Sequence, residues 1–129
     1  MLSATKQGRK EGSHVKKYAM LCRYTPDAWA AIVERGLDRT EAIKLSLNQL
    51  GGRLDSAYWM MAHYDALVIF EVPDEITAMG ISARIQASGM FAHMEIHQLF
   101  EAKDHRAIIE SARGHEFHHH AHEASPVHR

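Results

Sequence analysis

The chain has 129 residues, with 15 Lys and Arg against 16 Asp and Glu, a formal charge of −1 with its 11 His neutral, and 46% hydrophobic residues. That length suits one compact domain, and the composition is too apolar for a wholly disordered chain. The balanced charge lacks the basic field that phosphate contacts need, Cys22 is the single cysteine, and neither a signal peptide nor an apolar run of about 18 residues occurs. The expectation is a cytoplasmic protein whose partners include neither nucleic acid nor membrane.

Residues 1–17 hold five Lys or Arg, one Glu and almost nothing apolar, so residues 1–16 read as a flexible basic arm. Tyr18 to Tyr24 reads as a strand. Thr25, Pro26 and Asp27 then supply an N-cap, a proline at the first helical position and an acid in the first turn. The helix they open carries Trp29, Ile32 and Val33 on one side and breaks near Gly36. It resumes around Arg39 with Ala42, Ile43, Leu47 and Leu50 at helical spacing, and Gly51 and Gly52 end it. Arg53 to Met61 and Ala66 to Val72 are predicted strands paired as a hairpin through a turn at residues 62–65. Pro73, Asp74 and Glu75 open another helix, predicted to turn Ile76, Met79, Ala83 and Ala87 to the core and to stop at Gly89. Phe91 to Phe100 alternates Ala92, Met94 and Ile96 with His93, Glu95 and His97, which is the period of a strand. Residues 101–113 are expected to form a peripheral helix, and residues 114–129 a disordered, His-rich tail.

The order β-α-β-β-α-β over residues 17–100 is the ferredoxin-like, split βαβ arrangement, an α+β fold. Two helices cover one face of a four-stranded antiparallel sheet of order 4-1-3-2. The other face is left bare, and the apolar pairs Leu67 with Ile69 and Met20 with Cys22 cannot all be served by two helices. A homodimer joined sheet to sheet, or a higher homo-oligomer, is therefore expected. The alternative is a monomer whose C-terminal helix folds over that face.

RYTPDAW at 23–29, LGGRLDSAYW at 50–59, HYDALVIFEVPD at 63–74 and ASG at 87–89 together resemble the GYD-domain family over about residues 17–102. The resemblance implies a ferredoxin-like domain assembled as in the dimeric α/β-barrel proteins, and no particular reaction. The naming motif departs at its first position, where His63 stands in place of glycine before Tyr64 and Asp65. Glycine there would suit a positive φ, so either the turn differs or the imidazole has a use.

In a sheet of this order the end of the first strand, the hairpin turn and the start of the last strand lie at one end, so Tyr24, His63, Tyr64, Asp65 and His93 should share a rim. Tyr24, Tyr64, Asp65 and His93 are candidate acid-base groups, since a carboxylate near an imidazole suits proton transfer near neutral pH. Tyr24, Tyr58, His63 and Tyr64 are candidate contacts to a small organic ligand at the rim or in the cleft between sheet and helices. The competing reading makes Asp65 a turn residue that accepts backbone N–H bonds and packs Tyr24 beside Trp29.

His93, Glu95 and His97 share one strand face and suggest a metal site. Residues two apart on a strand are separated by roughly 6.7 Å, so one ion could take at most an adjacent pair, with a further ligand such as His63. On a helix His93 and His97 could bind together, so the strand assignment controls the hypothesis. The bland alternative is a polar seam in which imidazoles and carboxylate bond one another.

Six of the last sixteen residues are histidine, and His115, His118, His119, His120 and His122 would bind Zn²⁺, Ni²⁺ or Cu²⁺ with little selectivity. Cys22, mid-strand, reads as a small core residue, and neither a P-loop nor a Rossmann glycine pattern is present. The leading reading is a small homo-oligomer binding an organic ligand, with no reaction named by its residues. A metal-binding accessory protein and a structural oligomerisation module are the alternatives.

Overall fold

The computed structural model describes residues 15–115. Its elements are β1 (Lys16–Tyr24), α1 (Pro26–Arg35), α2 (Arg39–Gln49), β2 (Arg53–Trp59), β3 (Ala66–Val72), α3 (Glu75–Ala87), β4 (Phe91–Leu99), a short 3₁₀ turn (Ala102–Asp104) and α4 (His105–Gly114). The chain divides after Leu99 into two compact units, and the fold of the first is ferredoxin-like. The sheet order is β2-β3-β1-β4 with every pair antiparallel, as the sequence predicts.

Helices α1, α2 and α3 each begin where a short polar side chain satisfies a first-turn N–H group. Thr25 Oγ1 accepts from Ala28 N at 3.1 Å, Asp38 Oδ1 from Thr40 N at 3.0 Å, and Asp74 Oδ1 from Thr77 N at 2.8 Å. Such a cap is worth about 1 kcal/mol. The backbone and side-chain bonds from Thr77 also hold the Asp74 carboxyl below its ordinary range. Gly36 closes α1 in the left-handed conformation, φ 64°, with its N–H on the Ile32 carbonyl. Gly52 is required by close approach, because a Cβ there would collide with the Glu71 carbonyl oxygen and the Val72 side chain.

The strands sort their residues by period two. Tyr18, Met20, Cys22 and Tyr24 of β1 and Ala66, Val68, Phe70 and Val72 of β3 are all buried. Leu47 of α2 and Ala78 of α3 join them in the core, with Ile43, Ile81 and Ile85 packed alongside. Burying a side chain such as Phe70 contributes roughly 1.5–3 kcal/mol.

The core-facing side of α3 differs from the expectation. Ile76 and Met79 are 81% and 66% exposed, whereas Ala78, Ile81 and Ile85 meet the sheet. Asp74 as the cap sets the helix rotation, and the buried stripe follows 78, 81 and 85 rather than 76, 79, 83 and 87. In α1, Ala28, Trp29 and Ile32 pack inward while Val33 is 73% exposed.

Residues 1–14 and 116–129 lie outside the described residues, and with them most of the expected basic arm and His-rich tail. The second unit carries the expected helix as α4, preceded by a turn in which Asp104 Oδ2 accepts from Glu101 N at 2.8 Å. No helix among the described residues is long and apolar enough to cross a membrane.

Candidate functional site

The rim residues separate onto the two sides of the sheet. Asp65 belongs to the helix side: its Oδ2 accepts the Tyr24 backbone N–H at 2.8 Å and the Trp29 indole N–H at 3.1 Å. Its own backbone donates to the Cys22 carbonyl at 2.8 Å and accepts from Met60 N at 2.7 Å. These four bonds make it the clasp that joins the hairpin turn to β1 and α1. Tyr24 is buried, and its ring stacks on Phe91 at 5.0 Å and meets Trp29 edge-on at 5.7 Å. Burial raises its phenol pKa, with Cys22 and Asp65 acting in the same direction and Arg39 opposing them.

His63, Tyr64 and His93 gather on the opposite side. Tyr64 lies 4.6 Å from His63 and 5.8 Å from His93, ring centre to ring centre. The Tyr64 hydroxyl donates to Glu95, whose other oxygen is 2.8 Å from His97 Nε2, and His93 Nε2 is 3.6 Å from the first. Donation from Tyr64 and His97 holds the Glu95 carboxyl at about 2, and the same bond raises the Tyr64 phenol. The strand assignment of residues 91–99 is confirmed, and the His-Glu-His row forms a mutually bonded polar seam. Among the described residues no group of three or more His, Cys, Asp or Glu side chains is placed to hold a metal ion. His115 of the tail bonds the Ser111 carbonyl at 2.7 Å, while His118, His119, His120 and His122 lie outside the described residues.

The left-handed residue of the turn is Ala62, φ 83°, rather than His63. The imidazole thus needs no glycine-like backbone, and its carbonyl accepts from Arg23 Nη1 at 2.8 Å. Tyr58 pairs with Leu67 on the face turned away from α1 to α3 and is 58% exposed. Cys22 is buried, and desolvation pushes its thiol up to about 11, which suits a core residue and not a nucleophile.

A concavity of about 620 Å³ lies between the sheet and the helices. Its floor is Met20 and Phe70, and Phe91 closes one end. One wall is the α2 stripe Arg39, Ala42, Ile43, Ser46, Leu47 and Leu50. The other is formed by Thr77, Gly80, Ile81, Arg84, Ile85 and Ala87 of α3 with Ser88 at its C-terminal cap. The α2 wall steps by i, i+3, i+4, i+7, i+8 and i+11, the pattern of a single helix face, and the α3 wall follows the same series with Ala87 added. Small residues at Ala42, Ser46 and Gly80 leave space that larger side chains would fill, and a Cβ built on Gly80 meets nothing within 4 Å.

The sequence pattern points to the apolar half of the α2 wall and to Ala87 of α3, whereas Arg39, Ser46, Thr77, Gly80 and Arg84 emerge as lining residues only in the structure. The signal was available: two helices whose inward stripes each carry an arginine and small residues cannot close tightly on a sheet. Of the rim candidates, Tyr24 adjoins the cavity through Phe91, whereas Tyr58, His63 and Tyr64 do not line it.

Fold and cleft together define a small ferredoxin-like domain with an apolar chamber under its helices. The GYD domain family model matches residues 18–109, and the chain belongs to that family. Neither a curated protein nor a solved structure matches the chain significantly.

Proposed function

We propose that this GYD-domain protein binds a small organic molecule in the chamber between the sheet and helices α2 and α3. The chamber itself carries the reading: about 620 Å³, walled mainly by aliphatic side chains, with a few polar groups among them. Ligand sites are typically concavities of roughly 300–1,000 Å³ with that kind of lining. A filled core would have placed larger residues at Ala42 and Gly80.

The protein also acts, in this reading, as a homodimer joined through the opposite sheet face. Within residues 15–99 no helix covers that face, and its middle holds Ala19, Leu21, Leu67 and Ile69 in register. Polar pairs border them: Lys17 with Asp55 at 3.2 Å, Arg53 with Glu71 at 3.1 Å, and the seam around Glu95. An apolar centre with a polar rim is the anatomy of an interface.

The test uses an uncharged fluorescent probe, N-phenyl-1-naphthylamine, titrated into wild type and Gly80→Phe. Gly80→Phe projects its ring into the chamber from a helix interior, where phenylalanine is better tolerated than glycine. Saturable binding by wild type and its loss in a Gly80→Phe protein of unchanged circular dichroism are expected. Equal binding by both proteins would place the probe elsewhere and remove the support for the chamber as a site.

A further inference from the structure

The lining of the chamber is charged with one sign. Arg39 of α2 and Arg84 of α3 are its charged lining residues, and no Asp or Glu lines the space. Among the described residues neither arginine forms an ion pair with a carboxylate within 4.0 Å. The Arg39 Nε is fully buried and lacks a hydrogen-bond partner. A buried donor without a partner costs about 1–3 kcal/mol, more when charged, so the Arg39 guanidinium is under-satisfied and its outer N–H groups favour an occupant that supplies an acceptor.

The other polar groups of the lining are mostly engaged. Thr77 Oγ1 donates to Asp74 Oδ1 at 2.9 Å, and Ser88 Oγ donates to the Ile85 carbonyl at 2.6 Å while accepting from Met90 N at 3.2 Å. The Arg39 guanidinium also bonds the Tyr24 hydroxyl, so the donors left for a ligand are its remaining N–H groups and those of Arg84, with the Ser46 hydroxyl on the same α2 wall. Arg39 also occupies the first turn of α2, where the helix end adds partial positive charge.

We infer that the chamber selects an apolar organic carboxylate, its hydrocarbon body lying along Met20, Ile43, Phe70 and Ile81 and its ionised head held by Arg39. The inference rests on the ligand-binding reading above and adds the charge of the ligand to it. A planar guanidinium fork matches a carboxylate with two parallel N–H···O bonds, which an ammonium or an alcohol cannot accept in that geometry. Arg84 reinforces the sign of the field from the opposite wall. A cationic ligand would meet two like charges, and a neutral alcohol would offer one uncharged oxygen in place of two ionised ones.

The experiment compares three probes of equal chain length, decanoate, 1-decanol and decylamine, by calorimetry on the full chain purified without metal resin and stripped of lipid. Decanoate is expected to bind at least about 10-fold more tightly than decanol, with no measurable decylamine binding. Arg39→Met should bring decanoate down to the affinity of decanol while leaving decanol binding unchanged, and Arg39→Lys should keep part of the preference. Equal affinity of wild type for decanoate and decanol would overturn the charge inference and leave the chamber standing as an apolar site. A preference for decanoate that persists in Arg39→Met would overturn the role given to Arg39. Failure of all three probes, together with failure of the uncharged fluorescent probe, would remove the ligand-binding reading as well.

Discussion

The Asp65 carboxylate, in the turn before β3, accepts the indole N–H of Trp29, in α1, at 3.1 Å across 36 residues of sequence. The same oxygen accepts the Tyr24 backbone N–H at 2.8 Å, so one side chain fixes the end of β1, the start of α1 and the hairpin turn. Trp29 in turn stacks on Trp59 at 5.4 Å and touches Tyr24, which stacks on Phe91 at the end of the chamber. The aspartate of the family motif is in this way a structural residue that sets the chamber's end wall.

Replacing Asp65 by alanine removes an ionised acceptor from two donors in a partly buried place. Hydrogen bonds to charged groups contribute about 1.5–3 kcal/mol each, and the two share one oxygen, so a loss of about 2–4 kcal/mol is expected. Asp65→Asn keeps an acceptor oxygen and should lose less than half of that. Urea unfolding followed by tryptophan fluorescence measures both, and a loss below 1 kcal/mol in Asp65→Ala would contradict the clasp.

The turn at Ala62 holds a non-glycine residue at φ 83°. A Cβ in the left-handed region costs roughly 1–2 kcal/mol, partly offset by the larger unfolded-state entropy of glycine. Ala62→Gly should therefore stabilise the protein by about 0.5–1 kcal/mol. Thermal unfolding decides it, and a lower melting temperature would mean that the turn relaxes to negative φ in solution.

Glu95 links the seam to acid stability. Its carboxyl sits at about 2 against an ordinary 4.5, first through the Tyr64 hydroxyl and next through His97. A carboxyl depressed in the folded state stabilises that state above its unfolded pKa, and the contribution fades as the pH falls from about 4.5 toward 2. The melting temperature of wild type should exceed that of Glu95→Gln above pH 4.5, with the gap closing toward pH 2. In Tyr64→Phe the largest cause of the depression is gone, so the Glu95 titration midpoint followed by NMR should move upward. A gap independent of pH would show that the carboxylate gains nothing from its neighbours.

Much of this architecture was legible in the chain because its signals are local. Alternation in residues 66–72 and 91–99, the cap at Thr25, Pro26 and Asp27, and the glycine pair at 51 and 52 each act over a few residues. The rotation of α3 was not legible, since Ile76 and Met79 are as apolar as Ile81 and Ile85 and only the tertiary packing against Val68 and Phe70 decides between them. The rim was half legible: topology brought Tyr24, Asp65, His63, Tyr64 and His93 to one end. Strand parity and the bulge beside Arg23 and Tyr24 decided which side of the sheet each one faces. The chamber was least legible, because a cavity is set by residues that are too small, and Gly80 or Ala42 alone reads as ordinary helix surface.

Leu67 gives the most direct test of the proposed dimer. It is opposite Leu21 on β1 and Tyr58 on β2, in the middle of the face that no helix of residues 15–99 covers. In a two-fold interface the same patch meets itself, so Leu67→Glu places two carboxylates in one apolar seam. Like charges there cost several kcal/mol, and the dimer should weaken by about 100-fold or more, to a monomer in sedimentation velocity at micromolar concentration. Met61→Glu serves as the control, because Met61 is 91% exposed in the turn after β2, and its association should match wild type. Wild-type sedimentation as a monomer, or an unchanged dimer in Leu67→Glu, would remove this face from the assembly.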